Sequence, residues 1–410
     1  VLAFDEHVTI VDQDDIPGTG RAVEVGLLAL DQQSLVEGTV LVTYGDVPLL
    51  RPETLRELIT FHETDSNAVT VLTTHVDDPG AYGRIVRNQA GEVTSIVEAK
   101  DATDEELAID EINSGIYAFD ATVLRQALAE VTTNNAQGEK YITDVLAIAR
   151  SKGYRTSALA IEDRWEVEGA NDRVQLAHLG RKLNTRILET HMRNGVSIVD
   201  PQSTWIDVTV TLENDVTILP GTQLHGATNV ATGTVIGPDT TLTDVTVKEN
   251  ATVTRAHGQG AIIGTGATVG PFAYLRPGTV LGEDSKLGTF CEAKNSQIGD
   301  GAKVPHLTYV GDAEIGDGAN IGAGSVFANY NGVTKNRTVI GAHARMGSGG
   351  IYVAPVTVGD GAYSGAGALI RKDVPAGALA ISEFSQRNIE GWVLKNREGT
   401  EPAAAAQAAN

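Results

Sequence analysis

The sequence predicts two domains of different class, an α/β sheet domain followed by a stacked parallel β-helix. Three observations carry that prediction. Strand-like and helix-like runs alternate from Val1 to about Asn171, a helical period follows from Arg173 to Arg193, and beyond it aliphatic residues recur at every sixth position. A chain of 410 residues is also too long for one ordinary core.

In the first part "TVLVTYGD", "AVTVLTTHV" and "SGIYAFD" read as strands, and "RPETLRELITFHE" and "ITDVLAIARSKG" as helices. Such alternation builds a sheet whose functional residues sit on loops at strand ends. The opening stretch "VLAFDEHVTIVDQDD" has the alternation of a strand from the middle of a domain, so a segment before Val1 is expected. Next, Val174, Leu176, Leu179, Leu183, Ile187 and Met192 keep a roughly helical period that Asn194-Gly195 ends. That sets the domains at 1–172 and 196–385, joined by a linker helix over 173–195 and followed by a tail over 386–410.

In the second part Ile218, Leu224, Val230, Ile236 and Leu242 step by six, as do Ile263, Val269, Leu275, Leu281, Leu287 and Ala293. Ile340, Met346, Tyr352, Val358, Ser364 and Ile370 do the same. A helix needs a period of about 3.6 and a simple strand about two, so the pattern is neither. It is the signature of a hexapeptide β-helix, in which each short strand turns a corner and sends its aliphatic residue into a narrow stacked core. Glycine in "IGDG", "IGAG" and "VGDG" suits corners where a side chain would clash or φ is positive. The rhythm breaks at "NYNGVTKNRTV", a polar, basic insertion that must leave the stack as a loop and is a natural place for binding. After Gln386 the repeat is lost, and the Ala-rich end is expected to fray.

Composition narrows the function. A formal charge of −22 opposes any general affinity for nucleic acid or an anionic membrane, so an anionic substrate must meet local Arg, Lys or metal. No apolar run is long enough to span a bilayer and no signal-peptide pattern opens the chain, which makes a cytoplasmic protein the expectation. Cys291 is the one cysteine, so there is no internal disulfide framework, no CxxC and no Cys/His cluster for structural zinc. Its packing role outweighs a nucleophilic one.

Several residues carry chemistry. "DIPGTGRAVEVG" puts Gly-Thr-Gly before a helix, where backbone N–H groups take a phosphate or base edge, unless it is a plain turn. "VLVTYGDVPLL" ends an apolar strand in Gly45-Asp46, a carboxylate where an α/β sheet holds a divalent metal and nucleotide phosphates; the alternative is a capping or turn residue. Arg276 and Lys294 stack if each coil takes 18 residues, giving two cations suited to a phosphate monoester rather than two separate solvated charges. His306 lies near them in "KVPHLTYVGDAEIGDGANIGAG" and is either a surface residue or part of a site.

With "YGDVPL", "DDPGAYGRI", "VEAKDAT", "NNAQGEKYITD", "GPFAYLRPGT", "HLTYVGDAEIG", "IGAGSVFANYNG" and "VAPVTVGDGAYSGAG" added, nearly the whole chain resembles one family. It is the family of sugar-1-phosphate nucleotidyltransferases that carry a hexapeptide acetyltransferase tail. The resemblance implies a Rossmann-like nucleotidyltransferase domain and a left-handed coil. It implies acetyl-CoA-dependent N-acetylation of glucosamine 1-phosphate, then uridylyl transfer from UTP to N-acetylglucosamine 1-phosphate. The products are pyrophosphate and UDP-N-acetylglucosamine, a cell-wall precursor. It also implies Mg²⁺ and a homotrimer with acetyl-transfer sites between subunits.

Carried over by resemblance, Gln13, Gly18 and Thr19 contact the uracil, and Tyr44 and Gly45 lie with them on the nucleotide. Asp46 and Asn171 hold Mg²⁺, while Gly83, Glu98 and Asn113 bind the sugar. In the coil His306 is the general base, with Arg276, Lys294, Tyr309 and Asn320 on glucosamine 1-phosphate and Ala323, Asn329, Tyr330, Ser348 and Ala366 beside acetyl-CoA. An imidazole of ordinary pKa, about 6.5, suits an amine attacking a thioester, and no Ser or Cys acyl-enzyme is needed. Two departures stand out. The family's GTR-like triplet and following lysine do not occur, so a chain starting at Val1 is expected to show negligible uridylyl transfer; and Glu383 stands where the family often has a basic residue, which puts a coenzyme phosphate contact in doubt.

Three rivals are distinguishable. A nucleotidyltransferase for another sugar with a purely structural coil would lack acetyl transfer. A γ-type carbonic anhydrase needs three histidines on zinc, and His306 has no nearby partner in sequence. An ice-binding solenoid would use the Thr-rich surface of "TGTVIGPDTTLTDVTVKENATVT", although threonine simply suits exposed strands.

Overall fold

The computed structural model describes residues 8–383 and 386–409. Most of the opening strand pattern, Val1 to His7, lies outside the described residues, as do Phe384, Ser385 and Asn410; from Val8 to Asp15 the chain forms no strand. The chain divides into two compact units, 1–183 and 184–410, and the division falls inside the helix Arg173–Arg193.

The first unit runs α1 (Thr19–Gln33), β1 (Thr39–Val42), α2 (Pro52–Thr64), β2 (Val69–His75), β3 (Arg84–Arg87), β4 (Val93–Val97), α3 (Asp104–Leu107), β5 (Glu111–Asp120), α4 (Ala121–Leu128), α5 (Asp144–Ser151) and β6 (Thr156–Ala160). One six-stranded sheet results, in the order β4-β3-β5-β2-β6, with β1 also paired to β5. β5 is antiparallel to β1, β2 and β3, whereas β2 and β6 are parallel. Because β2 follows one edge of β5, β1 and β3 share the other edge. β1 ends opposite Tyr117 and β3 begins opposite Ile112, which leaves a gap in the edge around Asn113 and Ser114.

Both faces of β5 are covered, as expected of a central strand with no polar face. Ile116 and Ala118 pack with Leu58 of α2, Leu72 and Val167, while Tyr117 and Phe119 pack with Leu124, Leu128, Val145 and Leu146 of α4 and α5. A fully buried leucine such as Leu58 contributes about 1.5–3 kcal/mol.

The second unit is a parallel β-solenoid of three sheets with 11, 10 and 9 strands. Every aliphatic residue of the six-residue series is buried in one continuous core, and Ser364 is buried with them. The turns are less uniform than 18 residues. Along one sheet the paired residues are Thr217, Val235, Thr252, Thr268, Lys286, Lys303 and Asn320, so a turn takes 16, 17 or 18 residues. The next pair, Asn320 and Arg345, is wider because residues 329–337 leave the stack, closed by a bridge between Tyr330 and Lys335.

The two glycines of "IGDG" have different reasons. A Cβ on Gly316 would meet the backbone of Ala342 on the next turn at 2.6 Å, whereas Gly318 has φ +63°. At the open end of the solenoid the buried Asn184 donates to the Thr204 carbonyl (2.8 Å) and accepts from the Ile206 N–H (3.1 Å), standing in for a strand that the first turn lacks.

The tail corrects the expectation of fraying. The linker helix is α6 (Arg173–Arg193), and the tail forms two helices of its own, α7 (Trp392–Asn396) and α8 (Glu401–Ala408), the second of which an alanine run favours. Among the described residues no helix is long and apolar enough to cross a membrane.

Candidate functional site

The gap in the β5 edge opens into a cavity of about 440 Å³. Its wall includes Tyr44, Asp46, Gly83, Glu98, Asn113 and Asn171, six of the ten residues expected on the nucleotide sugar. Gly45 borders an adjoining cavity that shares Asp46 and Asn171. Gln13, Gly18 and Thr19 are not in either lining. The Gln13 amide donates to the carbonyls of Ile16 (2.8 Å) and Gly18 (3.2 Å). A Cβ on Gly18 would meet the Lys140 carbonyl at 2.3 Å and Gly20 donates to that carbonyl, so the Gly-Thr-Gly turn has a packing reason in this fold.

Local geometry fixes each wall residue. Asn113 donates its backbone N–H to the Gly83 carbonyl (2.8 Å), and its side-chain oxygen accepts from the Tyr117 hydroxyl (2.8 Å) and the Gly115 N–H (3.0 Å). Gly115 has φ +76°, and a Cβ there would strike the Tyr44 ring at 1.8 Å, so the absence of a side chain is what admits that ring. Burial pushes the Tyr44 hydroxyl pKa up, helped by the charges of Glu98 and Asp46. Glu98 is raised as well, first by burial, against a hydrogen bond from Thr143, with Asp101 and Asp144 adding to the rise. Among the described residues no lysine or arginine lines the main cavity.

In the solenoid, backbone bonds define a vertical column. The Gly324 N–H donates to the His306 carbonyl (3.2 Å), Gly349 to Ala323 (2.7 Å) and Gly367 to Ser348 (2.8 Å). His306, Ala323, Ser348 and Ala366 therefore lie one above another on successive turns. At about 4.8 Å per turn, small residues extend the column some 14 Å from the imidazole. The His306 ring is exposed and has no hydrogen-bond or ion-pair partner among the described residues.

Arg276, Lys294 and Tyr309 occupy three consecutive turns of the neighbouring sheet. Arg276 donates to Glu292 (3.0 Å), and the Lys294 ammonium lies 3.9 Å from Asp312. Asn329 is buried and bonds both the Tyr309 hydroxyl (3.4 Å) and Asp312, so it falls with the cations rather than with the small-residue column. Burial alone would raise Asp312; hydrogen bonds from Asn295 and Asn329, with Lys294 and Lys335, hold it below the usual carboxylate range. Asn320 belongs to the sheet that holds His306, paired with Lys303 and Arg345. Tyr330 is exposed, its hydroxyl on the Gly332 carbonyl (2.7 Å), and Glu383 is exposed. Within one chain, then, two groups form at different edges of a face, and no hydrogen bond or ion pair joins His306 to the cations among the described residues.

Comparison with known proteins agrees with this division of labour. A nucleotidyl transferase family model matches residues 3–208, and a bacterial transferase hexapeptide model of six repeats matches residues 295–329. The bifunctional protein GlmU of Pseudarthrobacter chlorophenolicus is 63% identical over 409 residues, covering 100% of this chain and 83% of its own. That of Paenarthrobacter aurescens is 63% identical over 409 residues, covering 100% and 82%, and that of Corynebacterium diphtheriae 57% over 406 residues, covering 99% and 83%. The chain belongs to the GlmU family. It is an enzyme with acetyltransferase and uridyltransferase activities, built as a nucleotidyltransferase domain and a hexapeptide β-solenoid.

Some wall residues of this GlmU-family chain escaped the sequence reading. Tyr82, Glu168 and Gln175 line the main cavity, and Lys335 stands beside Lys294. Lys335 had a signal, the basic insertion; Glu168 and Gln175 had none, since only folding brings the segment after β6 beside Asp46, and Tyr82 had only its place next to Gly83. Cys291 is buried, and burial pushes its thiol pKa up, as befits packing rather than nucleophilic chemistry.

Proposed function

We propose that the solenoid lays acetyl-CoA along the column of Ala323, Ser348 and Ala366, with its thioester at His306. The glucosamine 1-phosphate amine attacks the thioester carbonyl, His306 takes the amine proton, and the coenzyme leaves as its thiol. Arg276 and Lys294 hold the sugar phosphate, with Tyr309 and Asn320 orienting the ring and Asn329 and Tyr330 closing the loop side. Positioning and proton transfer are the work these residues do.

In the α/β unit a phosphate oxygen of N-acetylglucosamine 1-phosphate attacks the α-phosphorus of UTP and pyrophosphate leaves. Glu98, Asn113 and Gly83 hold the sugar, Tyr44 and Gly45 lie along the nucleotide, and Gln13, Gly18 and Thr19 meet the base. Asp46 and Asn171 suit Mg²⁺: both offer oxygen, and the Asp46 carboxylate has no hydrogen-bond or ion-pair partner among the described residues. The metal, when bound, would supply neutralisation of phosphate charge beside Asp46 and Asn171.

The sites in the solenoid are completed, in this reading, by further copies in a homotrimer. Phe272, Phe290 and Leu307 form an exposed apolar corner beside His306, at φ values of +59°, +56° and +49° that bulky residues rarely adopt. The two phenyl rings stack at 5.2 Å. A neighbouring chain covering that corner would bring its own cations toward this imidazole. We place the enzyme in the cytoplasm, with acetyl-CoA and UTP.

The observation that carries the reading is the one cavity shared by Tyr44, Asp46, Gly83, Glu98, Asn113 and Asn171. Calorimetric binding of UDP-N-acetylglucosamine tests it: Asp46→Ala and Asn113→Ala are expected to weaken binding at least tenfold while acetyl transfer is unchanged. Unchanged binding in both variants would overturn it.

A further inference from the structure

Two consecutive peptide N–H groups beside the cavity are held from opposite sides. The Ala170 N–H donates to the backbone carbonyl of Asp46 (2.9 Å), and the Asn171 N–H donates to the side-chain oxygen of Gln175 (2.7 Å). Gly169, just before them, lets the Asp46 carboxylate close in: a Cβ there would sit 3.2 Å from its oxygen. The segment that carries Asn171 is thus tied upstream to Asp46 and downstream to α6.

The downstream tie is unusual in register. α6 starts at Arg173, so Asp172 is its N-cap, and the Asp172 carboxylate accepts the Gln175 N–H (2.8 Å), as an N-cap should. In an ordinary capping box the side chain of the third helical residue returns to the N–H of the cap itself. Gln175 instead reaches one residue further back, to Asn171, and its carboxamide lines the same cavity as Asp46 and Asn171. Its Nε2 has no hydrogen-bond partner among the described residues, so helix capping does not use up the group.

We propose that Gln175 is a positioning residue, which holds Asn171 at the fixed distance and orientation from Asp46 that lets the pair grip one divalent cation. The proposal rests on the reading of Asp46 and Asn171 as the cation-holding pair. Only an acceptor of the right reach is required, so Glu serves in place of Gln, whereas Ala frees the Asn171 N–H. Partners that orient a ligand in this way commonly account for about 10–100-fold in metal affinity.

The test is Mn²⁺ binding, followed by electron paramagnetic resonance with UDP-N-acetylglucosamine present, together with amide hydrogen exchange at Asn171. Gln175→Ala is expected to weaken Mn²⁺ about tenfold and to speed exchange at Asn171, with an unchanged melting temperature. Gln175→Glu is expected to keep the slow exchange and to bind Mn²⁺ at least as tightly as the parent. Asp46→Asn is the control. If Asp46→Asn loses Mn²⁺ while Gln175→Ala keeps parental affinity, the positioning role is overturned and the reading of the pair stands. If Asp46→Asn binds Mn²⁺ as the parent does, the pair is not the cation site, and the inference falls with it.

Discussion

Lys335, on the loop that leaves the solenoid, stands beside Lys294 and holds its ammonium below the ordinary lysine pKa. Lys335 is the largest cause, burial the next, and Asp312 opposes both. A lysine with a depressed folded pKa carries a cost below that pKa, relieved as pH rises through it, and here two ammonium groups share the Asp312 carboxylate, which leaves an excess of positive charge that suits an anion. Lys335→Ala removes the repulsion and one of the charges. The variant is expected to melt no lower than the parent at pH 7, while its KM for glucosamine 1-phosphate rises about tenfold, the worth of one charge-assisted hydrogen bond. Steady-state acetyl transfer against sugar-phosphate concentration measures this.

Glu98 should trade stability for binding. Its folded pKa lies above the ordinary carboxyl value because of burial, so the unfolded chain gives up the proton first and stability falls as pH rises between the two values. Above the folded pKa the whole cost is present. Glu98→Gln is therefore expected to raise the melting temperature at pH 7 by about 2–4 °C per kcal/mol removed, a gain that fades below about pH 4. Calorimetry at the two pH values checks the stability, and weaker UDP-N-acetylglucosamine binding by the same variant checks the role on the sugar.

The architecture was more legible than the sites. A six-residue period survives into the structure because each aliphatic residue from Ile218 to Ile370 meets its counterpart on the adjoining turn, so sequence spacing and core burial are one constraint. Turn length was less legible: a corner that loses one or two residues changes the spacing along the sequence while the inward residues stay paired turn on turn, as Ile236, Val253 and Val269 do. In the Ala-rich tail composition points two ways, because a run with no core to join suggests fraying while alanine is also the best helix former, and the helix prevails. Asp46 was legible from its place after an apolar strand, but Gln175 and Glu168 reach the same cavity only through the route of the chain after β6.

His306 makes the sharpest mutational case in the solenoid. Its ring is exposed and unpartnered among the described residues, so His306→Ala leaves no buried group stranded. Loss of a general base is expected to slow acetyl transfer by about 10²–10⁴-fold with circular dichroism and melting unchanged. Added imidazole is expected to restore part of the rate. Near-parental turnover in the variant would remove His306 from the chemistry.

Ala366 tests the path of the coenzyme. It lies exposed at the foot of the column, three turns and some 14 Å from His306, whereas Ala362 four residues earlier is fully buried. Ala362→Leu overpacks the core and is expected to lower the melting temperature sharply. Ala366→Leu adds the same atoms on the outside, where surface substitutions usually change stability by no more than about 0.5 kcal/mol. Its effect falls on whatever lies along the column, so the KM for acetyl-CoA is expected to rise tenfold or more. A donor cut back to the acetylated cysteamine end is too short to reach Ala366 from His306, and its slow acetyl transfer is expected to be the same in parent and variant. The contrast between donors locates the obstruction: equal loss with both would mean that Ala366→Leu disturbs the reacting end, and that the coenzyme arm does not follow these small residues.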